Sequence, residues 1–187
     1  MHEKYFHGDV HLLPKHDIAI LELENAIDFD KYGMQNFVQE NSNAFQFARH
    51  PKIRPLCLPD PRPGKDIKVN TDVFVAGWGK TNYAGFQATI LQKTTLKVVR
   101  NQDCQKAYDF KYPDSVVPEH LCAYAKGTDA CQGDSGGPVV ISGTDNLVGL
   151  VSAGWGCARA GYPGIYTKLS YYLDWMEKKM QNQGKME

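Results

Sequence analysis

Asp129-Ala130-Cys131-Gln132-Gly133-Asp134-Ser135-Gly136-Gly137-Pro138, followed at once by Val139-Val140-Ile141, is the stretch on which the reading of this chain turns. Its glycines and Asp-Ser pair are turn chemistry, and its serine is a candidate nucleophile. A serine hydroxyl attacks well only when a base takes its proton. Gly133 has no side chain to obstruct its N–H, which together with that of Ser135 can donate to a developing oxyanion. One such donor is worth about 2.7–4 kcal/mol of barrier. Gly133 to Gly137 also satisfies G-x-S-x-G, the pattern of a serine on a strand-to-helix elbow. That arrangement needs a helix directly after the serine and a histidine later in the chain. Here Pro138 to Ile141 reads as a strand, and His120 is the last histidine, so the elbow is excluded.

Outward from this stretch, short β-type runs dominate: Ile18 to Leu23, Val73 to Ala76, Thr94 to Val99, Val139 to Ile141, Leu147 to Ser152 and Ile165 to Lys168. Gly, Pro and Asn clusters between them predict an antiparallel sandwich or barrel rather than βαβ units. Gly77-Trp78-Gly79 and Gly154-Trp155-Gly156 mark backbone that turns tightly or approaches something closely. A short helix is expected from Asn101 through Cys104 to Tyr108. Leu169, Leu173, Met176 and Met180 recur at helical spacing, Ser170 can cap, and Lys178 and Lys179 suit a helix C-terminus. Asp30 to His50, rich in Asn and Gln, reads as a surface insertion.

The 187 residues suffice for one packed domain. Lys and Arg number 21 against 21 Asp and Glu, which argues against a nucleic-acid or anionic-membrane partner recruited by bulk charge. No apolar run reaches the ~20 residues of a membrane span. Five cysteines stand at 57, 104, 122, 131 and 157 without Cys-x-x-Cys or zinc-finger spacing, so neither a metal nor a cofactor is expected. Disulfides imply an oxidising compartment, hence a secreted protein, although Met1-His2-Glu3-Lys4-Tyr5 does not resemble a signal peptide. A secreted protein lacking its N-terminal part in this sequence reconciles the two observations; a cytosolic protein is the alternative.

The Asp129–Pro138 stretch resembles the nucleophile segment of the chymotrypsin/trypsin-like serine endopeptidases. Further landmarks follow in order: His2-Glu3-Lys4-Tyr5 through Lys15-His16-Asp17-Ile18-Ala19-Ile20-Leu21, Val75-Ala76-Gly77-Trp78-Gly79, Val151-Ser152, Gly156-Cys157-Ala158 and Tyr162-Pro163-Gly164-Ile165-Tyr166-Thr167-Lys168. The resemblance implies an all-β double antiparallel β-barrel with a C-terminal helix and an incomplete first barrel. Residues 1–57 would be the remainder of that barrel, with the insertion at 30–50. Residues 58–168 would form the second barrel, and 169–183 the helix.

Site roles follow from the same resemblance. Ser135 is the expected nucleophile and Asp17 the carboxylate that orients the base; Gly133 and Ser135 form the oxyanion hole. Asp129 lies at the base of the primary pocket, with Gly154 and Gly164 on its walls, and Ala130, Gln132 and Ser152 contact substrate. A buried carboxylate below two glycines selects Arg or Lys, and Ala130 leans the choice toward Arg. Asp134 is the activation switch that pairs with a newly released N-terminal amine. Ala153 stands where the family commonly has Trp, which loosens neighbouring substrate positions. Expected disulfides are Cys104–Cys122 and Cys131–Cys157; Val73 and Ile141 stand where a further bridge is common. Cys57 resembles the cysteine that tethers a propeptide or light chain, with a free thiol as the alternative.

The base itself is missing from the pattern. None of His2, His7, His11, His16, His50 or His120 has the Ala-Ala-His-Cys context of the family. The sequence therefore reads as the C-terminal portion of a secreted endopeptidase cleaving after Arg or Lys, inactive as written. Its partners would be peptide or protein substrates and a segment linked through Cys57. The alternative function is a non-catalytic homologue that binds or regulates partners.

Overall fold

The computed structural model describes residues 1–6, 12–28, 55–62 and 64–183. Two compact units emerge, one of Met1–Ile20 with Cys57–Glu187 and one of Leu21–Leu56. The expected insertion at 30–50 lies outside the described residues, as do His7, His11 and His50.

The larger unit is built on six strands: β1 Asp72–Gly77, β2 Gln92–Val99, β3 His120–Tyr124, β4 Pro138–Ile141, β5 Leu147–Ala153 and β6 Gly164–Lys168. They close into an antiparallel barrel in the order β1-β2-β3-β6-β5-β4. Closure leaves no exposed strand edge. Alternation sets what faces inward: Val73 and Val75 of β1 and Leu96 and Val98 of β2 are buried, whereas Asp72 and Lys97 face out and pair with each other. With Val139 and Tyr166 they belong to one apolar core. Val73 and Ile141 are direct cross-strand partners. The position at which the resemblance set a further bridge holds an apolar cross-strand pair.

Helix α1, Asn101–Tyr108, lies where the sequence placed it and buries Cys104 and Tyr108. The chain ends differently from expectation. Leu169–Tyr171 is a 3₁₀ turn, and helix α2 runs only from Leu173 to Gln183. Ser170 does not cap; its hydroxyl donates to Asp66 at 2.9 Å. Leu169 and Met176 are buried with Tyr172, but Met180 is exposed, so the apolar stripe covers only the first turns.

Two strand readings need correction. His120–Tyr124 forms β3 without having been expected, because its residues are buried almost continuously rather than in alternation. Ile18 to Leu23 is not a strand. Among its described residues the segment from Met1 to Ile20 carries a single bridge, Phe6 to Lys15, and is held by contacts of single residues. Leu13 packs with Tyr108, Cys122 and Ile165, and Ile18 packs against Leu169, Tyr172 and Met176.

Both expected disulfides are present, Cys104–Cys122 and Cys131–Cys157. The first ties α1 to β3. The second ties the loop before β4 to the loop after β5. Loops of these lengths correspond to about 3–4 kcal/mol each in the chain-entropy account. Cys57 is exposed and unpaired among the described residues.

Candidate active site

The loop from Cys131 to Gly137 is a chain of tight turns: Asp134 N–H donates to Cys131 C=O and Gly137 N–H to Asp134 C=O. Two outside anchors hold it. Gly136 N–H donates to Val151 C=O of β5, and Lys80 N–H donates to Gln132 C=O. Gly133 sits at φ +95°, a left-handed region that a side chain would strain. Ser135 is exposed on this loop.

Asp134 is the internal brace. One carboxylate oxygen accepts from Gly79 N–H at 2.8 Å and the other from Cys131 N–H at 2.9 Å. The space it takes explains Gly77-Trp78-Gly79. A Cβ on Gly77 would lie 2.1 Å from an Asp134 oxygen, and one on Gly79 would lie 2.5 Å from its carboxyl carbon. The close approach expected of these glycines is therefore to this carboxylate.

Asp17 is brought to the same barrel from the other end of the sequence. Its carboxylate accepts from Ser152 Oγ at 2.7 Å, and its carbonyl from Thr167 Oγ1 at 2.7 Å. Among the described residues Oδ1 receives no hydrogen bond, which leaves a lone pair for an imidazole N–H.

Asp129 lies beneath β6. It accepts from Ala130 N–H at 2.9 Å, Tyr166 Oη–H at 3.2 Å and Ala158 N–H at 3.3 Å. Burial raises its pKa above the ordinary carboxylate value; the hydrogen bonds oppose that and the Asp134 charge reinforces it. No cation pairs with it among the described residues. Gly164 is required here, since a Cβ would come within 2.9 Å of Asp129 Oδ1 and 2.5 Å of Tyr166 Oη. At Gly154 a Cβ would meet nothing nearer than 3.7 Å, so the space beside it is open. Gln132 is exposed beside Gly133, and Ala130 is half-buried beside Asp129.

Tyr166 was not singled out as a pocket residue. Gly164 and Tyr166 are two apart on one strand and so face the same way, the one signal that pointed to it. Ala153 closes β5, and Trp155 follows two residues on. Its ring stands edge-on to Tyr162, with centroids 4.6 Å apart.

The described histidines are occupied elsewhere. His2 stacks on His16 at 4.7 Å, and its Nδ1 accepts from Lys4 N–H. His16 has φ +52° and is not in a strand; its Nδ1 meets Tyr172 Oη at 3.2 Å. His120 contacts Pro14 C=O through Nε2 at 2.8 Å and accepts Val117 N–H at Nδ1. Burial, foremost, lowers the pKa of His120 below 6.5, with Lys15 adding to the effect. The unfolded chain then takes up a proton more readily than the folded one. The stability this represents is present above about pH 6.5 and lost as pH falls through the lowered folded value. The urea midpoint should accordingly drop between pH 7 and pH 5, less steeply in a His120→Gln variant. An unchanged slope in that variant would remove His120 from the account.

The family model described as Trypsin matches residues 1–176. The chain is 35% identical over 181 residues to Trypsin-1 of Astacus astacus, covering 95% of this chain and 63% of that protein. To the Venom protease of Bombus pensylvanicus it is 37% identical over 179 residues, covering 93% and 62%. To the Proclotting enzyme of Tachypleus tridentatus it is 34% identical over 169 residues, covering 88% and 39%. The chain thus spans less than two thirds of each of these relatives. A closed antiparallel barrel, a turn-held serine loop braced by an internal carboxylate, and a match over nearly the whole chain lead to one conclusion: this chain belongs to the trypsin family of serine proteases.

Proposed function

We propose that this chain carries the nucleophile, the orienting carboxylate and the primary pocket of a secreted endopeptidase that cleaves after Arg or Lys through an acyl-enzyme. The observation that carries the specificity is Asp129, a half-buried carboxylate with no cation among the described residues, close against Gly164. A guanidinium or ammonium entering there would meet a desolvated opposite charge. Ser135 would attack the scissile carbonyl, with the N–H groups of Gly133 and Ser135 holding the oxyanion. Asp17, held by Ser152, would orient an imidazole and stabilise its protonated form. Gln132 and Ser152 would flank the bound peptide. The histidine would come from outside the described residues, and the domain limits 1–57, 58–168 and 169–183 remain our reading of the chain.

Asp134 fits the activation switch of a zymogen. Its carboxylate is already committed to two backbone N–H groups, and a new N-terminal amine would add a charge-assisted bond to the same oxygens. Cys57 fits the anchor of a disulfide-linked light chain or propeptide, being exposed between the exposed Leu56 and Leu58.

An active-site fluorophosphonate tests the reading. The 187-residue chain should label little or not at all at Ser135, whereas a longer translation product that supplies an Ala-Ala-His-Cys-like segment should label within minutes. Equal labelling of the two would overturn the need for an outside histidine. A stop codon directly before Met1 would favour a non-catalytic homologue that binds partners.

A further inference from the structure

Beyond the pocket carboxylate lies a second set of charges that this reading leaves unused. After β5 the chain passes the exposed Gly154 to Trp155, whose N–H is 3.3 Å from Tyr108 Oη. Arg159 Cζ lies 3.7 Å from the centroid of the Trp155 ring and 5.0 Å from that of Tyr162. Lys111, in the turn after α1, brings Nζ to 5.0 Å from the same indole and 5.6 Å from Tyr112. Two cations therefore converge on one aromatic ring. Neither has a carboxylate within ion-pair distance among the described residues, although six other Lys or Arg ion pairs are formed there. The place is next to the proposed pocket: Arg159 follows Ala158, whose N–H reaches Asp129, and Trp155 follows Gly154.

We infer that Arg159 and Lys111 form an anion-selecting wall that favours an Asp or Glu side chain two to four residues before the cleaved bond. This rests on the pocket reading above. A guanidinium stacked on an indole keeps its N–H donors pointing out in its own plane, where they match a carboxylate in fork geometry. An aromatic substrate side chain fits less well, because the guanidinium already covers indole surface. Cation–π contact does not neutralise either charge, so both remain available to an incoming carboxylate. Ala153 leaves room beside Gly154 for an extended peptide to lie close. Such a peptide advances about 3.3 Å per residue with alternate side chains on alternate faces, which brings the residues just before the pocket side chain to Trp155.

The test uses the full-length protein and fluorogenic peptides with Arg before the scissile bond, Glu replacing Gln singly at each of the three preceding positions. At least one Glu peptide should show a kcat/KM about 5- to 20-fold above its Gln counterpart in 50 mM salt, falling to about 2-fold in 0.5 M salt as screening shortens. The double variant Lys111→Glu/Arg159→Glu should reverse the order and favour Lys at that position, a gain that a misfolded protein cannot show. Equal cleavage of Glu and Gln peptides, or a Glu preference that survives the double variant, would sink the inference while leaving the proposed function standing. Should no peptide be cleaved, the catalytic reading fails on its own. Binding of the same peptides to a Ser135→Ala variant, followed by fluorescence anisotropy, then decides. Tighter binding of Glu that the double variant reverses upholds the wall, and equal or undetectable binding removes it.

Discussion

Ser135→Ala in the full-length protein is expected to lower kcat by about 10⁶-fold, and Asp17→Asn by about 10⁴-fold, the scales that serine proteases with such triads set. The two losses should not add. Once the nucleophile is gone an oriented base has nothing to activate, so the double variant should be no slower than Ser135→Ala alone. The Asp17 effect is specific in kind as well as size. Its carboxylate is fixed by the Ser152 hydroxyl at 2.7 Å, and an amide there would present N–H where the imidazole needs an acceptor. KM should change little, because neither group is placed against the leaving portion of the substrate. Steady-state hydrolysis of an Arg amide substrate gives both parameters. A loss below tenfold for Asp17→Asn, in protein with an unchanged melting point, would remove Asp17 from the triad.

Replacing Asp129 is the second large effect. Asp129→Asn should reduce kcat/KM for Arg and Lys substrates by about 30- to 4,000-fold, the loss of one partner of a buried charge pair at about 2–5 kcal/mol. Cleavage after an uncharged residue should fall much less. The same change should stabilise the protein at neutral pH. Burial raises the pKa of this carboxylate, so the folded state holds the proton more tightly than the unfolded one. Stability therefore declines as pH rises from the ordinary value of 3.8 through the raised one, and the ionised group is a standing cost above it. Asn carries no such cost. A higher melting temperature with lost Arg cleavage is the expected pair of results; a lower melting temperature would show that Asp129 supports the fold. This is the usual trade at a binding group kept for function.

Much of the barrel was legible because its strands announce themselves by period. In β2, Leu96 and Val98 alternate with Thr95 and Lys97, and that pattern has one physical reading in a sheet with a single apolar face. β3 has no such contrast, since burial on both sides removes the polar half of the pattern. The start of α2 was misplaced because Ser170 found a distant partner, Asp66, in preference to the helix end. Tyr166 was missed because its role depends on Asp129, 37 residues earlier.

Taken alone, the sequence determined the Gly-rich turns of the candidate nucleophile loop, most of the strands that carry it, the family and the candidate carboxylates, since each is written in residues close together. It also determined that Gly77 and Gly79 admit something close. What that something is, the Asp134 carboxylate 55 residues on, only the folded barrel decided. The same holds for Asp17 meeting Ser152 across 135 residues, and for two cations meeting on Trp155. Local sequence fixes backbone preference and turn chemistry over a few residues. Which side chains share a desolvated space is set by barrel closure, and that is where the pairing of charges and the chemistry of the site arise.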